Sequence, residues 1–582
     1  MCSSDLCEND LPKDALKPKK NESERKAIMK KKILAALLTA VMTFSLAACG
    51  GGGKNSSGNS SAGGSDDLMK VATVMLSDSD TLDPGRADDD QKNSIVLEAQ
   101  ETLFRYIDGE LTEAGCESYE TSEDGLTWTF HLRDNKYSDG EEVKAQDYVN
   151  SIRRIFDPEV NCHNAGIFYC IAGGEAFNTG AGSKEDVGAV AVDDKTLEIT
   201  LVEPIPYFAQ LMTFSNVTPV PESKTEGEKN SSYGATAEEL AQSGPFYVSE
   251  WTRGSKVVLK KNENYWDAKN VKIDEIEMTL AQDENTRQQL FDQGQIDVLR
   301  NIDSEYLDQK QKEVDAGKVQ LISGPQPRNS YICFNNEDPN GVFTNEKIRK
   351  AFAIAFDREA YATQVLDSNK AAYGEIPPGT AIGTDEFRDL YPEPMKELLE
   401  QDAKQLLEEG LNEIGKEGET LEVTFLQRNA DNETKVVAEF YQNQWEKNLG
   451  VKVNIETASD NSSFNNQVSK GLYQVCETGW GADYNDPMTF MQCYTTGDGN
   501  NPAFFSDAEY DELVNACKTE QDMTVRGENF AKAEKILTVD KCGISPVTYT
   551  YSNTLVSKTL KNVYINGAGG PSIEFRDAYV EE

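Results

Sequence analysis

The stretch Gly479-Trp480-Gly481-Ala482-Asp483-Tyr484-Asn485-Asp486-Pro487 lies deep in a chain of 582 residues. It follows an alternation, Leu472-Tyr473-Gln474-Val475-Cys476, that reads as the end of a strand. Asn485-Asp486-Pro487 reads as a turn. Glycines on both sides of Trp480 leave the backbone open to close approach by another segment. A strand that leads into an acid and a turn places Asp483 beside an exposed backbone edge. Such an edge pairs with main chain and such an acid pairs with an ammonium, which together suit an extended peptide. On spacing alone a plainer reading is favoured, in which Asp483 caps the turn and Trp480 and Tyr484 fill core.

The length calls for two or three domains. Acids outnumber bases 100 to 57, for a formal charge of −43. A body this acidic does not hold a nucleic-acid backbone, and an anionic membrane surface repels it except where it is covalently anchored.

That anchor is written at the N-terminus. Met29-Lys30-Lys31-Lys32 is a basic opening, and Ile33 to Phe44 is an apolar run of signal-peptide length. Leu46-Ala47-Ala48-Cys49-Gly50 follows and resembles the bacterial lipoprotein box. The resemblance implies that residues 1–48 are removed and that Cys49 carries lipid. Met29 is the expected start, and nothing in residues 1–28 indicates a role. Residues 49–67 comprise Cys49 and a Gly/Ser/Asn-rich tether (GGGGKNSSGNSSAGGS) with a reach of roughly 20–24 Å. The body has cysteines at 116, 162, 170, 333, 476, 493, 517 and 542, with no C-x-x-C and no metal-knuckle spacing. Cys162 and Cys170 are close enough in sequence to pair across a loop, and free thiols are an equal reading.

Along the body, strand and helix patterns alternate, which argues an α/β architecture. Val71 to Leu76 alternates as a strand, and Asn93 to Phe104 has helical spacing. Gly125 to Leu132 reads as a strand with Trp128, Phe130 and Leu132 on one face. Ala145 to Phe156 is helical, Val187 to Leu201 a hairpin, and Ile273 to Leu280 a strand. Tyr331 to Asn335 reads as a short strand after Pro325, Glu346 to Leu366 as one long amphipathic helix, and Met395 to Glu409 as another helix.

The order of short segments is more telling than any one of them. Glu123-Asp124-Gly125-Leu126-Thr127-Trp128-Thr129-Phe130-His131-Leu132-Arg133 is followed by Ser138-Asp139-Gly140-Glu141 and Gly244-Pro245-Phe246-Tyr247. Asn264-Tyr265-Trp266, Gly294-Gln295-Ile296-Asp297-Val298 and Ile348-Arg349-Lys350-Ala351-Phe352 through Asp357-Arg358-Glu359 come next. Trp480-Gly481-Ala482-Asp483-Tyr484 and Ala531-Lys532-Ala533-Glu534 close the series. From about residue 70 to 575 this order resembles the peptide/nickel-type extracytoplasmic solute-binding proteins of ATP-driven (ABC) importers, in their oligopeptide-binding branch.

The resemblance implies a two-lobed α/β periplasmic-binding-protein-like fold with the ligand enclosed between lobes. The first lobe would comprise 68–101, 222–327 and 549–582, a domain inserted in it 102–221, and the second lobe 328–548. It implies a monomer without cofactor or metal, an oligopeptide ligand, and permease subunits with cytoplasmic ATPases as partners. Asp483 falls on the family's acid for the ligand ammonium, and Gly479 and Gly481 fall where backbone pairs with the ligand. Trp480 and Tyr484 would then wall side-chain pockets, and Asp89 and its neighbours would face the cleft. Two family bases that meet the ligand carboxylate are replaced here by Glu477 and Glu433, with Arg428 as a substitute. Gly481 also occupies the place of a family disulfide cysteine. The acids motivate a preference for basic peptides.

The same fold serves nickel chelates, oligosaccharides, opines or signal peptides, and Asp483 favours a peptide over a neutral sugar. An enzyme is the rival class. The chain has only two histidines, His131 and His163, and lacks G-x-S-x-G, H-E-x-x-H and the phosphate-binding G-x-x-x-x-G-K, so no catalysis is expected.

Overall fold

The computed structural model describes residues 69–87, 89–366, 369–565 and 573–581. Cys49, the tether and everything before them lie outside the described residues. Strand β1 (Lys70–Met75) opens the described chain, and helix α1 (Asp90–Ala99) follows, its N-terminus capped by the Asp89 carboxylate on the Lys92 N–H. Strands β2 (Cys116–Thr121), β3 (Thr127–Leu132), β4 (Ala189–Asp193) and β5 (Thr196–Thr200) form an antiparallel sheet in the order β2-β3-β5-β4. Helix α2 (Ala145–Ile155) packs on it. Trp128, Phe130 and Leu132 are all buried, as the alternation in β3 requires. Strands β6 (Phe246–Thr252), β7 (Lys256–Lys261) and β8 (Glu275–Leu280) return to β1, giving the order β1-β8-β7-β6 with β1 parallel to β8.

The second lobe is built on a seven-stranded sheet. Its path contains β9 (Val298–Leu299), β10 (Val319–Phe334), β11 (Glu422–Gln427), β12 (Lys452–Thr457), β13 (Val475–Gly481) and β14 (Ile544–Ser557), in the order β9-β14-β10-β13-β11-β12. The pair Lys370–Ala371 joins on β14. Helix α3 (Glu346–Ile354) and the long helix α4 (Asn432–Leu449) cover one face, with Phe352 set edge-on against Trp445.

Strands β10 and β14 serve both lobes. They run antiparallel from Val319 opposite Ser557 to Cys333 opposite Ile544. Val556 belongs to the apolar core of β1, β6, β7 and β8, whereas Ile332 and Val547 belong to the core under α3 and α4. The ladder slips between Pro325 and Asn329, where a ring nitrogen cannot donate to a neighbouring strand. A third apolar cluster runs without a break from the β2–β5 sheet into the second lobe, bridged by Tyr207 stacked on Tyr484 at 4.7 Å.

Four local expectations change. The helix read over Glu346 to Leu366 is broken after Ile354, because the Asp357 carboxylate caps a new helix at Arg358–Gln364 through the Ala360 N–H. Met395 to Glu409 divides into a 3₁₀ segment, Pro394–Glu400, and a helix, Ala403–Glu413, capped by Asp402. Tyr331 to Asn335 is only the end of the 16-residue β10, whose two prolines disguise its first half. The strand read at Leu472 to Cys476 begins at Val475 and continues through Gly481, so it takes in both glycines. The eight cysteines of the described body are free thiols, Cys162 and Cys170 included. Among the described residues no helix is long and apolar enough to cross a membrane.

Candidate functional site

Strand β13 forms one wall of a cavity of about 1280 Å³. Glu477, Thr478, Gly479 and Trp480 line it, together with Arg328 to Tyr331 of β10 and the segments around Arg428, Phe464 and Asp498. Every lining residue lies between 328 and 550, so the β1–β8 side of the molecule contributes nothing to the wall. Beyond Cys476, β13 has a strand neighbour on one side only among the described residues: β11 pairs with it at Val475 and Cys476, while β10 follows it to Gly481. The backbone from Thr478 to Gly481 therefore has a free edge.

The glycines of β13 answer to internal contacts. A side chain at Gly479 would run into the Asn329 carbonyl oxygen on β10. A Cβ at Gly481 would lie 3.0 Å from the Arg328 guanidinium, the Cα partner across the ladder. Trp480 is half-buried with its indole N–H unpartnered, and it faces the cavity.

Asp483 sits two residues past the end of β13, outside the cavity lining. It is half-buried and forms no ion pair among the described residues. Burial pushes its carboxyl up to about 6, opposed by the Thr489 hydroxyl and by His163 from the β2–β5 domain. Asp486 is its opposite. It is buried and held by two hydrogen bonds, at 2.6 and 2.7 Å, from the fully buried guanidinium of Arg526, and it also caps the turn through the Met488 N–H. The turn-capping role open to Asp483 thus falls to Asp486. Tyr484 is 2% exposed and stacked on Tyr207, so it takes the packing alternative and is absent from the lining of this cavity. Asp89 is occupied in capping α1 and is likewise absent from the lining.

Glu477 lines the cavity. Its Oε2 accepts hydrogen bonds from Tyr361 and, at 2.7 Å, from Tyr441, and burial raises its pKa. Glu433 stands exposed on the rim. Arg428 donates to the Thr478 hydroxyl at 3.3 Å and lies over the Phe464 ring at 4.3 Å. Arg328, Tyr361 and Phe464 are wall residues that the sequence reading missed. Arg328 was hidden behind Gly324-Pro325-Gln326-Pro327, which reads as an interruption, and the other two look like ordinary helical core residues.

The site holds neither a nucleophile–base pair nor, among the described residues, a group of metal ligands. Two lobes joined by a shared strand pair, with a roomy cavity of mixed polar and apolar lining on one of them, describe a receptor for a solute. Residues 110–502 match the bacterial extracellular solute-binding proteins, family 5. The chain belongs to that family, and it is a binding protein rather than an enzyme. It is 33% identical over 518 residues to the oligopeptide-binding protein OppA of Bacillus subtilis (strain 168), covering 86% of this chain and 90% of that one. Among solved structures, the unliganded open form of the periplasmic murein tripeptide binding protein MppA superposes with a TM-score of 0.74 at 25% identity, over 88% of this chain and 98% of that one. Listeria monocytogenes OppA bound to peptide superposes with a TM-score of 0.68 at 28% identity, over 89% of this chain and 100% of that one.

Proposed function

We propose that this protein captures oligopeptides outside the cytoplasmic membrane and delivers them to an ABC permease, tethered by lipid on Cys49. The observation that carries the reading is the free edge of β13 beside the cavity. An extended peptide added to that edge gains main-chain hydrogen bonds that are the same for every sequence. The roomy cavity beyond accepts varied side chains with water between. Asp483, half-buried and in no ion pair among the described residues, stands two residues beyond the end of the same strand, within reach of a peptide ammonium. The lobes are 68–101 with 222–327 and 549–582 on one side and 328–548 on the other, with 102–221 inserted. The first lobe closes over the cavity when ligand is present. The protein acts as a monomer.

Mass spectrometry of small molecules released on denaturing the purified protein tests this. Peptides are expected from the wild type and are depleted in Asp483→Asn. Released sugars or metal chelates in place of peptides would retain the fold and overturn the substrate.

A further inference from the structure

Arg328 stands apart from the other arginines of the second lobe. The chain carries 100 acids against 57 bases. Arg526 is paired with Asp486 and Arg388 with Glu534. Arg349 and Arg358 are buried and donate to backbone carbonyls. Arg428, the other arginine of the cavity wall, is held by Thr478 and Phe464. Arg328 makes no side-chain hydrogen bond and no ion pair among the described residues, and it is exposed in the cavity wall.

Its seat is built for it. Arg328 is the Cα partner of Gly481, and the absence of a side chain there lets the guanidinium lie against β13. It also falls within the register slip between Pro325 and Asn329, on the strand that serves both lobes. The remaining charges of the wall are acids, Glu337, Asp431, Glu433, Glu477 and Asp498, which repel a ligand carboxylate.

We propose that Arg328 receives the C-terminal carboxylate of a short bound peptide. The inference rests on the peptide reading above. A guanidinium presents paired N–H donors that match a carboxylate, and this one has no competing partner. Position along the strand sets the length. Arg328 lies opposite Gly481, two residues from Asp483, whereas Arg428 touches Thr478, three residues or about 10 Å further down β13. A carboxylate at Arg328 with the ammonium at Asp483 fits a ligand of two or three residues, and a carboxylate at Arg428 fits one about three residues longer. Ligand charge at Arg328 also bears directly on the strand that joins the lobes.

The test is calorimetry with tri-alanine, tri-alanine amide and penta-alanine on the full chain, on Arg328→Gln, on Arg328→Lys and on Arg428→Gln. The wild type is expected to bind tri-alanine at least about 30-fold tighter than its amide, the typical effect of removing one partner of an enclosed charge pair. In Arg328→Gln that gap shrinks to about threefold or less with an unchanged melting temperature, Arg328→Lys restores part of it, and Arg428→Gln leaves it intact. A gap that survives Arg328→Gln, or that vanishes in Arg428→Gln, overturns the assignment. If penta-alanine binds the wild type and tri-alanine does not, the peptide reading stands and the Arg328 assignment falls. If none of the peptides binds, both fall together.

Discussion

Burial holds the Asp483 carboxyl near pH 6, and an ammonium ligand needs it ionised. Ligand and proton therefore compete for one group. Affinity is expected to be full above about pH 6 and to fall as pH drops through that value, by up to about tenfold per unit. Titration calorimetry from about pH 4.5 to 8 reads this directly, and a flat profile would remove Asp483 from charge recognition. The unliganded protein runs the other way. Its folded pKa is raised, so the folded chain takes up the proton first, and the cost of burying the charge is relieved as pH falls below about 6. Asp486, three residues on, has no such freedom, because Arg526 occupies both of its oxygens. Two acids of one turn thus divide into a group free to meet ligand and a group bound into the core.

Strand β13 owes its shape to β10. The Asn329 carbonyl lies where a Cβ of residue 479 would stand, and backbone cannot swing aside as a side-chain tip can. Gly479→Ala is expected to cost about 1–3 kcal/mol by forcing the two strands apart, and to weaken peptide binding because the free edge moves with them. Gly481→Ala meets only the end of the Arg328 side chain at 3.0 Å, which can rotate away, so its stability should stay near wild type. Chemical denaturation of the two variants side by side separates these outcomes, and equal losses would contradict the distinction. The break between Ile354 and Arg358 belongs to the same scale. An Asp at 357 caps a new helix more readily than it continues the old one, although the apolar spacing runs straight through.

At the scale of the molecule, the cavity is walled from residues 328–550 alone, so a ligand bound there has one side uncovered, and closure of the other lobe over it is the expected response. Small-angle X-ray scattering is expected to show a smaller radius of gyration and maximum dimension on saturation with a peptide found in the released pool. Unchanged scattering at saturation would contradict enclosure. The β10–β14 pair runs from the core of one lobe into the core of the other and its ladder is interrupted between Pro325 and Asn329, so flexing is expected there.

The amino-acid sequence by itself determined the α/β class, the family and the order of elements along the chain. These rest on local alternation, caps, turns and short ordered motifs, all of which act between near neighbours. It also singled out the Trp480 strand as the place to look. It ended the strand at Cys476, because the pairing with β10 that carries it on through Gly479 and Gly481 comes from a distant segment. It did not separate Tyr484 from Trp480, since the stacking partner Tyr207 comes from another domain. Nor did it show that Glu477 is spoken for by Tyr361, 116 residues away, or that Asp486 is spoken for by Arg526, 40 residues away. Arg328 was invisible because a side chain's freedom is a fact about what fails to surround it. Such partnerships are made by segments distant in sequence that only the folded chain brings together, and so the tertiary structure alone decided which charges remain for a ligand.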